Sequence, residues 1–299
     1  MQNQTLSPIC IFTYNRLRET TRSIKSLQQN YLASESELFI FSENATGDEG
    51  DYEKTAEVRN YIHQVTGFKK ITIRESKTHR GLANSIISGV DEILRQYGKV
   101  IVVEDDLVTS PNFLNFMNEG LSFYENNERI FSVSGYTFNL PSLREFPKDY
   151  YLGYRASSWG WGSWVDRWSR IDWEVKDYSQ FRRNWLQQFK FMKGGINMPY
   201  MLNNQMTNRV DSWAIRWCYH QFKFNLLTVF PSKSKVVNIG FGEAATNTKE
   251  NRVSYAALMD KGIKQNFLFD NEIDVCLKHS IGFWIKCFSL SNIIGRIFK

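Results

Sequence analysis

From Lys99 to Leu107 the chain reads Lys-Val-Ile-Val-Val-Glu-Asp-Asp-Leu, a β-branched run that stops at three adjacent acids. A run apolar on both faces belongs at the centre of a sheet covered by helices on both sides. Three carboxylates at its end need a cation, hydrogen-bond donors or open water, because burying them unpaired is costly. In α/β sheets, ligands gather at the carboxyl ends of strands. Two readings follow. One is a divalent metal carrying a phosphate; the other is an acidic turn before a helix starting near Pro111, capped by Thr109 or Ser110.

The segments before this run alternate between strand and helix. Pro8–Thr13, Glu37–Ser42 and Lys70–Arg74 read as short strands, and Val100–Val103 as a fourth. Between them, Leu17–Gln28, Tyr52–Val65 and Leu82–Tyr97 carry helical spacing, the last with Ile86, Val90, Ile93 and Leu94 on one face. Alternation of this kind predicts right-handed βαβ units and a mostly parallel central sheet flanked by helices. Phe113–Tyr124 predicts another helix and Ile130–Ser134 another strand. The character then changes: Thr137–Asp149 is rich in loop formers, and Trp159, Trp161, Trp164, Trp168 and Trp173 follow in close order. The second half reads as an aromatic-rich elaboration of the same sheet. The expected organisation is one domain over 1–275, with halves 1–135 and 136–275, and a tail over 276–299.

A chain of 299 residues with 42% hydrophobic and 23% charged content can bury a substantial core. The net charge of +6 is compatible with nucleotides, anionic lipid or nucleic acid. No basic block or aromatic-basic repeat points to nucleic acid, which is therefore set aside as a partner. Cys10, Cys218, Cys276 and Cys287 lie far apart, a pattern that suggests a reducing compartment and argues against structural zinc. No secretory signal or membrane span is evident, so a cytoplasmic setting is expected. Within Ile281–Lys299, Phe283, Trp284, Ile285, Phe288, Ile293, Ile294 and Phe298 are punctuated by Lys286, Arg296 and Lys299. Either an amphipathic helix lying peripherally on the inner membrane face or a terminal helix packed on the core fits that tail.

Several ordered motifs resemble a known family. A first strand ending in Thr13-Tyr14-Asn15-Arg16, a fourth ending in Glu104-Asp105-Asp106, and Ser110-Pro111-Asn112-Phe113 opening the next helix are similar to GT-A nucleotide-sugar glycosyltransferases. The likeness is to N-acetylglucosaminyltransferase I of the Golgi and its bacterial relatives in surface-polysaccharide assembly. Val210-Asp211-Ser212-Trp213 resembles that family's Trp-Asp-Asp-Trp segment, with Val210 and Ser212 departing from it. The resemblance runs patchily from about Pro8 to about Gly242 and omits the tail.

The resemblance implies a metal-dependent, inverting transfer from a nucleotide sugar, UDP-linked, to a glycan or lipid-linked glycan. It gives Asp106 the metal, Mn²⁺ or Mg²⁺, and sets Glu104 and Asp105 near the sugar and ribose hydroxyls. In a strand, Glu104 and Asp106 project to one side and Asp105 to the other. Arg16 suits bidentate contact with phosphate oxygens; its alternative is a solvated residue at the start of a helix. Glu43 or Asn44 matches a family acid at the base, and His79 a His-containing stretch beside the nucleotide. Asp211 is the expected catalytic base, a carboxylate set to deprotonate the acceptor hydroxyl, although a helix N-cap is also open to it. The family's Gly-x-Gly-Trp beside the donor sugar falls at Trp161, with Trp159 and Trp213 on the acceptor side. Asn238–Gly242 falls on a family loop expected to close over the diphosphate. Two rivals remain. A sugar nucleotidyltransferase shares the sheet topology, but its Gly-rich phosphate loop is missing from Thr13–Arg16. A non-catalytic glycan-binding protein is the other.

Overall fold

The run ending at Glu104 lies in the middle of an eight-stranded sheet, in a computed structural model that describes residues 5–240 and 257–287. The chain opens with β1 (Ile9–Thr13), α1 (Leu17–Gln28), β2 (Glu37–Ser42), α2 (Glu49–Ile62), β3 (Lys70–Glu75), α3 (Leu82–Tyr97) and β4 (Lys99–Glu104). The four strands pair in the order β3-β2-β1-β4, all parallel. Their side chains divide between two cores, as strand periodicity requires. Ile9, Ile11, Ile101 and Val103 enter one, with α1 and α2, whereas Cys10, Phe12, Val100 and Val102 enter the other, with α3. α3 lies close on the sheet because Gly89 offers no side chain: a Cβ there would stand 2.8 Å from the Phe12 ring.

Past β5 (Leu107–Thr109) and α4 (Phe113–Phe123), the chain adds β6 (Ile130–Ser134), β7 (Tyr150–Gly153) and β8 (Trp161–Trp164). Five helices follow: α5 (Val165–Trp168), α6 (Tyr178–Arg183), α7 (Trp185–Phe191), α8 (Met198–Met206) and α9 (Trp213–Lys223). β9 (Leu227–Pro231), β10 (Val236–Asn238) and α10 (Leu277–Lys286) complete the described elements. The sheet continues from β4 through β8, β6 and β9 to β7. β8 runs antiparallel to β4 and β6, β7 antiparallel to β9, and β6 parallel to β9. The result is the expected mixed α/β domain with helices flanking a large central sheet, parallel in its first half and mixed in its second. A single sheet thus crosses residue 135.

Four of the tryptophans gather on the α3 side of this second half. Trp161 of β8, Trp168 of α5 and Trp213 and Trp217 of α9 pack ring to ring, with centroids 4.4 Å apart for Trp161–Trp217 and 5.3 Å for Trp161–Trp168. Trp168 Nε1 donates to Asp91 of α3 at 2.7 Å, tying the cluster to the first half.

The described part of the tail packs on the domain. Phe283 of α10 meets Phe138 and Phe230, with centroids 4.7 and 5.5 Å apart, and buried His279 is 2.9 Å from the Ser142 hydroxyl. Of the two readings open to the tail, packing holds for Leu277–Lys286; residues 288–299 lie outside the described residues. No helix among the described residues is long and apolar enough to cross a membrane.

Candidate active site

The carboxyl ends of β1, β2 and β4 open into a cleft of about 1020 Å³, at the upper end of small-molecule sites. Arg16, Glu43, His79, Glu104, Asp105 and Asp106 line it from the first half, and Trp159, Asp211 and Trp213 from the second. Residues separated by up to about 200 positions in the chain thus meet in one concavity.

The acidic triad does not follow strand alternation to its end. β4 stops at Glu104, and Asp105 and Asp106 form a turn before β5. Both turn acids therefore reach the same guanidinium: Arg16 Nη2 pairs with Asp105 and lies 3.2 Å from Asp106 Oδ2. This corrects the expectation that Asp105 points away from its neighbours, since the period of two lapses where the strand does. Asp105 is 4% exposed, and its carboxylate is committed to Arg16. Burial, then Asp106 and Asp105, pushes the Glu104 carboxyl well above its ordinary value. Burial raises Asp105 as well, against the pull of Arg16.

Asp106 has further neighbours from the far end of the chain. β10 pairs antiparallel with β5, placing Asn238 opposite Leu107. Ile239 N donates to the Asp106 carbonyl at 2.8 Å, and Asn238 Nδ2 to Asp106 Oδ1 at 3.3 Å. Gly240 follows, and a Cβ there would overlap the Asp106 carboxylate. The stretch from Phe241 to Gly242, expected as part of a closing loop, lies outside the described residues.

Among the described residues, no group of three His, Cys, Asp or Glu side chains could hold a metal by itself. Magnesium-type sites commonly use one or two carboxylates together with substrate phosphates. Asp106, with its side chain 13% exposed at the cleft and the Asn238 amide beside it, fits that donor chemistry. The oxygen set is a hard one, as Mg²⁺ and Mn²⁺ favour.

The loops after β1 and β2 are fixed by buried and half-buried carboxylates, of which Asp51 carries no local signal in the sequence. Asp51, near the start of α2, accepts from Tyr14 Oη at 2.5 Å, Asn15 Nδ2 at 2.6 Å and Thr46 N at 2.6 Å. Burial would raise this carboxyl, but those donors outweigh it and hold Asp51 well below the usual carboxylate range. Burial, with the bond to Asp51, pushes the Tyr14 phenol up to about 12. Glu43 is almost fully buried and accepts from Asn44 N at 2.9 Å, Arg80 N at 3.2 Å and the Ser85 hydroxyl. Its carboxylate clasps the start of α3. His79 rests on the Tyr14 ring, with centroids 5.4 Å apart, and one ring nitrogen lies 2.9 Å from the Asn44 carbonyl. Asn44 itself is not part of the cleft; its Nδ2 donates to the Lys77 carbonyl at 2.9 Å.

On the other side, Asp211 stands just ahead of α9 with its side chain 64% exposed, 3.6 Å from Arg216 Nη2. Ser212, not Asp211, occupies the N-cap position, so capping does not engage this carboxylate. Trp159 packs on Tyr136 with centroids 4.6 Å apart, and Trp213 borders the cleft while resting on Trp161 and Trp217. Trp161 does not reach the cleft. It is 0% exposed, stacked among the other indoles, and the donor-side role expected for it gives way to core packing. Arg155 carries no local signal in the sequence. It lines the cleft near Asn197, Met201 and Cys287, and only the fold collects those contacts.

No protein-family model and no curated protein sequence matches the chain. Solved structures resemble parts of the chain at low identity. A mannosyltransferase from Pyrobaculum calidifontis in complex with GDP-mannose and Mn²⁺ is 13% identical over 56% of this chain and 48% of that one, with a TM-score of 0.39. The galactosyltransferase LgtC, with donor and acceptor sugar analogues, is 11% identical over 74% and 72%, with a TM-score of 0.36. A nucleoside-diphosphate-sugar pyrophosphorylase from Vibrio cholerae is 12% identical over 80% and 98%, with a TM-score of 0.41. The chain spans about half the length of the mannosyltransferase and 34% of the Staphylococcus aureus TarS fragment.

Proposed function

We propose that this chain is a nucleotide-sugar-dependent glycosyltransferase, with inversion at the transferred carbon. One observation carries the reading. A single cleft holds an Arg-bridged pair of carboxylates at the strand ends and, from a different part of the chain, the solvent-accessible carboxylate of Asp211.

On this reading Arg16 binds diphosphate oxygens, exchanging part of its pairing with Asp105 and Asp106 for the ligand. Asp106 is the residue that would hold a divalent cation, which when bound supplies Lewis-acid stabilisation of the departing diphosphate. Asp211 accepts the proton of the acceptor hydroxyl as that oxygen bonds to the anomeric carbon. The carbon–oxygen bond to the diphosphate breaks on the opposite face, and the nucleoside diphosphate leaves with the bonding electrons. Trp159 offers a flat apolar face to the acceptor sugar, and Trp213, buried at the cleft's border, backs that wall. Following the sequence resemblance, the donor is UDP-linked and the acceptor a glycan or lipid-linked glycan of bacterial surface-polysaccharide assembly.

The test is a panel of nucleotide sugars scored by thermal shift with and without Mn²⁺, followed by product analysis with the stabilising donor. A metal-dependent rise in Tm with one donor, and release of its nucleoside diphosphate with the anomeric configuration inverted, is the expected result. Stabilisation by glycans alone, with no response to any nucleotide sugar, would replace the proposal with the binding-protein reading.

A further inference from the structure

Away from the cleft, the largest exposed apolar side chains of a single described helix belong to α7. Trp185, Leu186 and Phe189 are 72%, 50% and 69% exposed, and only Phe191 of that helix is buried. A second exposed stripe runs along α10 at helical spacing, through Leu277, Ile281 and Ile285. The two helices are linked through a shared element: the single 3₁₀ turn Met192–Gly194 follows α7 directly and packs against α10. Six large apolar side chains on two helices joined through that turn exceed the scattered exposure normal for a soluble surface.

Charge identifies what such a face meets. Between Asp177 and Asp211 the sequence carries five cations and no acid, and from Val275 to Lys299 it carries four cations and no acid. Those nine cations exceed the net charge of +6, so the rest of the chain is net negative. The nearby ion pairs, Lys176–Glu174 and Lys223–Asp177, leave Arg182, Arg183, Lys190 and Lys193 without an acidic partner among the described residues. Lys190 and Lys193 also line a second cleft of about 600 Å³ between α7 and α9, with room for a phosphate headgroup.

We propose that the α7–α10 face docks on an anionic lipid bilayer, with Trp185, Leu186 and Phe189 entering the headgroup boundary and the flanking cations meeting lipid phosphates. Indole and phenyl rings flanked by long basic side chains suit that boundary, where one end of each group is apolar and the other wet. The docking element is therefore a short internal helix, with α10 beside it, and not the chain end alone. Phe283 of α10 lines the active-site cleft while Leu277, Ile281 and Ile285 of the same helix face outward. Docking thus holds the cleft beside the lipid surface. If the transferase reading stands, this favours an acceptor carried on a lipid.

The experiment is co-sedimentation of the full chain with vesicles of phosphatidylglycerol and phosphatidylcholine, against vesicles of phosphatidylcholine alone. Binding is expected to the anionic vesicles and to weaken as salt is raised. W185S/F189S and K190E/K193E should each lower the partition roughly tenfold or more. Their circular dichroism should match that of the parent, because all four side chains are exposed. Failure to bind anionic vesicles, or unchanged binding by both variants, overturns the proposal. So does a W185S/F189S change that converts a dimer to a monomer without affecting vesicle binding, since the face would then be a contact between copies. No donor or acceptor is present in this assay, so its outcome is independent of the transferase test.

Discussion

On the wall formed by the ends of β1, β2 and β4, Arg16 joins two carboxylates and Asp51 gathers Tyr14, Asn15 and Thr46. The wall formed by α9 and the segment ahead of β8 rests instead on indoles packed ring to ring behind Trp213. The first wall is set by charge and hydrogen bonding, the second by volume. Hydrogen-bonded charges fix orientation sharply but depend on protonation, whereas close-packed rings are indifferent to pH and intolerant of lost atoms. A site that must hold a charged donor and a neutral acceptor has, on this reading, a wall suited to each.

The sharpest test substitutes one carboxylate from each wall. Asp211→Asn should lower turnover by about 10²- to 10⁴-fold, the usual range for a lost general base, while donor-dependent thermal stabilisation is retained. Asp106→Ala should abolish both, because on the proposed reading it removes the oxygen that would hold the metal. Retention of metal-linked donor binding in Asp106→Ala would break the division of labour between the walls.

Volume is tested next. Trp217→Ala should lower stability by about 3–5 kcal/mol in urea unfolding, because the surrounding rings cannot collapse into the space. Asp51→Ala, on the other wall, should cost about 1–3 kcal/mol by leaving Tyr14 and Asn15 without their acceptor. Its effect on donor affinity should exceed that of Trp217→Phe. A reversed order would show that packing, not polar contact, positions the proposed donor wall.

The smallest expected effects are in pH dependence, and they run in opposite directions. Burial, together with Lys223, lowers the His220 pKa from its ordinary 6.5 to about 4. The unfolded chain then binds the proton more tightly, so stability is full above about 6.5 and declines as pH falls towards 4. His220→Gln should flatten that acid limb of the Tm profile. Glu104 is raised by burial and by its acidic neighbours, so the fold binds its proton more tightly than the unfolded chain does. Its contribution is full at low pH and is lost as pH rises above the ordinary 4.5. Glu104→Gln should flatten the alkaline limb in metal-free protein. The two limbs are read in one series of melts.

Much of the framework was legible because it is written in local periods. The helices over Leu17–Gln28 and Leu82–Tyr97 have the expected bounds, and apolar positions on both faces of β4 announced the two cores. The triad at the end of β4 was conspicuous because charge beside an apolar run has few structural explanations. Trp161 misled because an indole flanked by glycines reads alike whether it faces a ligand or a core; the antiparallel pairing of β8 between β4 and β6 decides the matter. Asp51 carried no local signal, since its value lies in reaching residues 36 and 37 positions away.

The order of residues by itself therefore determined which segments became strands and helices and where acid would crowd a strand end, because hydrophobic periodicity and desolvation act over neighbouring positions. Only the tertiary structure decided that Asp105 turns to Arg16, that Asn238 comes to rest beside Asp106, and that Asp211 opens onto the same cleft. Those contacts depend on sheet order and on a broken strand alternation, and close packing of distant segments, not local preference, sets both.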